Sequence, residues 1–63
     1  MLGNKVLEAI KKAVVQLRKE TEDKADALLY IDDVADEIME DYAIDSEQRD
    51  EVCETVRKEI EDH

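Results

Sequence analysis

The chain has 63 residues, with one Gly, no Pro, one Cys and a net charge of −10 from 9 Lys+Arg against 19 Asp+Glu. That length allows one small domain, residues 1–63, and the acidity disfavours binding to nucleic-acid phosphates. A single Cys excludes an internal disulfide framework, and no apolar run approaches the ~20 residues that span a bilayer.

Residues 4–20 read as a first helix. Val6, Leu7, Ile10, Ala13, Val14 and Leu17 recur at three- and four-residue steps and share one face. Asn4 is the expected N-cap, and Lys11, Lys12, Arg18 and Lys19 favour the negative C-terminal end of the helix dipole. Val15 falls off the stripe, at the surface or at an interface. No continuous apolar segment of the secretory type follows Met1, so the expected location is the cytoplasm, with Cys53 reduced.

The polar stretch Thr21-Glu22-Asp23-Lys24 breaks the period, and Thr21 or Asp23 can cap a second helix. Leu28, Ile31, Ala35, Ile38 and Tyr42 then form a stripe that keeps its phase through Asp32 and Asp33, which favours one long helix over 23–42. The alternative is a break at Leu28-Leu29-Tyr30-Ile31, with Asp32 or Asp33 capping a shorter helix. A third helix over 46–61 is marked by Asp45 as cap, Gln48 three residues on to return a hydrogen bond, and the stripe Val52, Cys53, Val56, Ile60. The fold expected is an all-α three-helix bundle, with its second and third helices antiparallel across a short connection.

Charge is unevenly spread: residues 1–24 sum to +2 and residues 25–63 to −12. The densest feature is the run Asp32, Asp33, Asp36, Glu37, Glu40, Asp41, whose i,i+4 pairs repel on a helix. Three readings are open: a solvated face, a contact surface for a basic partner, and a weak divalent-ion site of oxygen ligands. Neither the alternating acids and central Gly of an EF-hand nor the paired Glu-x-x-His of a di-iron bundle is present.

Asp45-Ser46 resembles the Asp-Ser-Leu attachment motif of acyl carrier proteins. Glu47 stands in place of the Leu, and too few residues follow Ser46 for the remaining helices of that fold. A capping pair accounts for the dipeptide without a cofactor. The last two helices can also be laid on a helix-turn-helix, but Glu47, Asp50, Glu51, Glu54 and Glu59 outnumber Arg49, Arg57 and Lys58 on the would-be recognition helix, against duplex binding. Cys53 lies on an apolar stripe and reads as a small buried hydrophobe, and the only His, His63, ends the chain.

No nucleophile–base pair, metal triad or phosphate-cradling Gly loop is evident, so no enzyme, cofactor or small-molecule substrate is expected. The leading expectation is a non-enzymatic protein-interaction module that binds a protein partner, itself included as a homodimer. Its candidate contact residues are Asp32, Asp33, Asp36, Glu37, Glu40 and Asp41 with the surplus apolar Val15, Leu29 and Tyr30. Leu2 belongs to the same surplus. The alternative is an acidic inhibitor or DNA-mimic decoy in the basic groove of a nucleic-acid-binding protein.

Overall fold

The computed structural model describes residues 2–63. Four α-helices are present among them and no strand: α1 (Asn4–Glu20), α2 (Lys24–Leu28), α3 (Ile31–Asp41) and α4 (Arg49–Asp62), the last entered through a 3-10 turn at Ser46–Gln48. The all-α bundle expected from the periodicity is the fold observed. α1, α3 and α4 pack against one another, and α2 lies against α4 and α1. The chain runs up α1, down α2 and α3, and up α4. The Nζ of Lys24, at the start of α2, reaches the carbonyl of Glu61, so the C-termini of α1 and α4 share one end of the bundle.

The core forms because each stripe closes onto the same axis. Ile10 and Val14 come from α1, Ala27 from α2, Ala35 and Ile38 from α3, and Val52, Val56 and Ile60 from α4; all are buried. Val6, Leu17, Leu28, Ile31, Val34, Met39 and Ile44 pack around them. Burying each large aliphatic contributes roughly 1.5–3 kcal/mol. Leu2, counted among the surplus apolar residues, packs against this cluster instead.

The continuous helix over 23–42 is not found; the break falls at Leu29–Tyr30, inside the Leu28–Ile31 stretch of the alternative reading. α2 ends at Leu28, and the chain passes through Leu29 (φ −69°, ψ −17°) and Tyr30 (φ −101°, ψ 10°) before α3 begins. Leu29 N–H donates to Asp26 O (3.2 Å) and Tyr30 N–H to Ala27 O (3.0 Å), both one residue tighter than α-helical bonds. A 3-10 turn advances by ~20° more per residue than an α-helix, so two such residues slip the phase by about 40°. An apolar stripe ~100° wide absorbs that slip, which is why the pattern runs unbroken through the corner. The break creates a helix N-terminus at Asp32 and Asp33, where the dipole favours carboxylates that would repel their neighbours in mid-helix.

Capping also departs from expectation. Gly3, not Asn4, precedes α1; Asp23 and Asp45 occupy cap positions without a side-chain hydrogen bond; and neither Asp32 nor Asp33 caps α3, whose cap position is held by Tyr30. Gln48 does not complete a capping box; its backbone N–H bonds Asp45 O at 2.9 Å. The Thr21 hydroxyl instead donates back to Leu17 O (2.9 Å), closing the C-terminus of α1.

α3 is terminated by a Schellman motif. Ile44 N–H donates to Met39 O (2.9 Å) and Ala43 N–H to Glu40 O (3.4 Å), with Ala43 in the left-handed region at φ 50°. Met39 and Ile44, the pair that usually makes the hydrophobic contact of this motif, are both packed on the core.

Candidate functional site

The acidic run is divided by the fold into groups with different surroundings. Asp32 and Asp36, one turn apart on α3, face the start of α4. There the Arg49 guanidinium donates to Asp36 Oδ1 and lies 3.7 Å from Asp32 Oδ1. The repulsion expected between these two carboxylates is offset by one shared cation. The hydrogen bond and charge of Asp36 hold the guanidinium pKa above its ordinary value. Both acids are solvent-exposed, so the clamp orients α4 on α3 more than it stabilises the fold.

Cys53 sits beside this clamp rather than deep in the core. It is half-buried, with Sγ 4.0 Å from Asp32 Oδ1. Burial pushes the thiol pKa up, Arg49 pulls it partly back, and Asp32, Asp50 and Asp36 raise it further. A raised pKa lowers the thiolate fraction, which is the opposite of what a nucleophile needs. A cleft of about 330 Å³ opens over Cys53 between Ile31, Asp50, Glu54 and Arg57, with Arg57 paired to Glu54 on its rim.

Glu37 and Asp41 face the other way. They form one rim of a groove of about 340 Å³ between α1 and α3, whose floor is Ala9, Ala13, Val34 and Ile38. The opposite rim, on α1, carries Lys5, Glu8 and Lys12, and Tyr42 stands at one end, 44 % exposed. No ion pair joins the two rims among the described residues. Lys5, Lys12, Tyr42 and Arg49 were not among the site residues expected from the sequence. The three- and four-residue spacing of Lys5, Glu8 and Lys12 was a usable signal, because it sets them on one line of α1.

Asp33 and Glu40 are exposed and line neither opening. Leu29 (80 % exposed) and Tyr30 (45 %) form the corner between α2 and α3, next to the acidic first turn of α3. Val15 is exposed on α1 and borders neither the groove nor the cleft. The candidate residues therefore do not form one continuous patch. At the top of α1, Arg18 is half-buried, and its Nε and Nη1 have no hydrogen-bond partner among the described residues. His63 contributes its backbone N–H to Glu59 O (3.0 Å), extending the last turn of α4.

Among the described residues, no group of three or more His, Cys, Asp and Glu side chains is arranged to hold a metal ion. No described helix is long and apolar enough to cross a membrane. Comparison with protein-family models, with curated proteins and with solved structures finds no match in any of the three.

Proposed function

We propose that this chain is a small non-enzymatic interaction module that binds a basic, partly apolar protein surface through the α2–α3 corner and the outer face of α3. The observation that carries this reading is Leu29, 80 % exposed beside half-exposed Tyr30, in a protein with few large apolar side chains to spare. Burying both would supply the apolar centre of an interface. Asp33, in the first turn of α3, and Glu40, two turns further along, supply the acidic rim, while Asp32 and Asp36 are already engaged by Arg49.

A photo-crosslinking side chain at Tyr30, with Lys11 as the control position, tests the reading in cells. A discrete partner is expected from the Tyr30 position, lost on Leu29→Ser and weakened by Asp33→Asn with Glu40→Gln. Crosslinking that is the same at both positions, or unchanged by Leu29→Ser, rejects it. The acidic-decoy reading, which the net charge of −10 favours, differs in its salt response: association abolished by salt yet indifferent to Leu29→Ser supports the decoy.

A further inference from the structure

We infer that the groove between α1 and α3 is a two-fold interface that takes a second copy of this chain, basic rim against acidic rim. This rests on reading the acidic face of α3 as protein-binding, and it names the partner of the Glu37–Asp41 part of that face. The groove has an apolar floor and two rims of opposite character: Lys5 and Lys12 on α1, Glu37 and Asp41 on α3. All four are exposed, and none is paired among the described residues.

α1 and α3 run antiparallel, so Lys5 lies toward the Asp41 end of the groove and Lys12 toward its other end. A two-fold axis parallel to the helices places α1 of each copy over α3 of the other and keeps those levels. Lys5 then meets Asp41, and Lys12, whose backbone lies about 4.5 Å past the level of Glu37, reaches back to it along a side chain that tilts toward the start of α1, each contact occurring twice by symmetry. Ala9 and Ala13 keep the floor low on the α1 side, which lets the second copy approach closely. Residues 1–24 carry a net +2 against −12 for residues 25–63, so α1 offers the charge that complements the acidic α3.

Glu8 is the exception on the basic rim. It lies four residues before Lys12, the favourable order for an in-helix pair, yet in the dimer it faces the partner's carboxylates. The arrangement therefore fixes the sign of a further substitution: Glu8→Gln tightens association.

Sedimentation equilibrium tests the inference by charge exchange, with helicity by circular dichroism as the control for folding. The wild type is expected to move from monomer toward dimer as concentration rises. Lys5→Glu with Lys12→Glu, and separately Glu37→Lys with Asp41→Lys, each set like charges face to face and weaken self-association by about 100-fold or more. Mixing those two variants restores a heterodimer, because both rims then match across the axis. Combining all four exchanges in one chain restores the homodimer. Leu29→Ser with Tyr30→Ser dimerises as the wild type does, so loss of the heterotypic partner and loss of the dimer are read separately. A wild type that stays monomeric throughout, charge-exchanged variants that associate unchanged, or a mixture that fails to pair overturns the inference.

Discussion

Lys24 Nζ lies 2.7 Å from the main-chain oxygen of Glu61, a hydrogen bond spanning 37 residues and joining the start of α2 to the last turn of α4. That turn has no basic residue of its own, and its carbonyls lack intrahelical donors. A lysine from another helix supplies both the donor and the positive charge that a helix C-terminus favours.

Lys24→Met is accordingly expected to lower stability by about 0.5–1 kcal/mol. Urea denaturation measures the loss, and hydrogen exchange locates it. Protection is expected to fall in the last turn of α4 and to hold near Val52. Uniform loss along α4 would show that the contact does not act on the helix end.

Ala43 holds a left-handed backbone that costs a non-glycine residue roughly 1–2 kcal/mol. Ala43→Gly removes that strain, retains both Schellman hydrogen bonds and deletes only an exposed methyl. Its greater backbone freedom in the unfolded chain offsets part of the gain, leaving a net stabilisation of about 0.5–1 kcal/mol. A domain of this size gains roughly 4–8 °C in Tm per kcal/mol, which calorimetry resolves. Ala43→Val is expected to shift Tm the other way.

Cys53 makes stability depend on alkaline pH. Its thiol pKa is raised in the fold above the ordinary value of 9.0, chiefly by burial. Between the unfolded and folded values the unfolded chain has already released a proton that the folded chain keeps. Stability is therefore full below pH 9.0 and falls as pH rises from there toward the folded value. Cys53→Ala is expected to remove this component of the profile. At neutral pH the native thiol is expected to alkylate more slowly than the same thiol in urea. Equal rates would contradict the burial of Sγ.

Ile10 and Leu29 are both large aliphatic residues, fully buried and 80 % exposed respectively. Ile10→Ala is expected to cost about 2–5 kcal/mol, a large share of what a small domain has, whereas Leu29→Ser stays within about 0.5 kcal/mol. Parallel thermal melts check the contrast. An Ile10→Ala protein that melts like the wild type would place the core elsewhere.

The sequence was readable where a single helix decides the outcome. The stripe Val6, Ile10, Val14, Leu17 located α1, and Val52, Val56, Ile60 located α4, because periodicity reports directly on which side is buried. At Leu29–Tyr30 it left the continuous helix and the break both open, because a phase slip smaller than the stripe leaves no mark on the pattern to decide between them. The Asp32–Arg49–Asp36 clamp was hidden for another reason. Its partners lie on different helices, and only packing decides which carboxylate a guanidinium meets. For the same reason the acidic run of α3 looked like one face, while the fold turns Asp36 toward α4 and Glu37 toward α1.

The chain has no Trp or Phe, and both tyrosines lie outside the aliphatic interior, Tyr30 at the α2–α3 corner and Tyr42 at the mouth of the groove. Its only strong near-ultraviolet chromophores thus report on the surface. Each is a little under half exposed, so its emission reports on the surface layer and not on the packing of the aliphatic core. On the two proposed interfaces a heterotypic partner would shield Tyr30 from quenchers and a second copy would shield Tyr42, so quenching of tyrosine emission would follow each association.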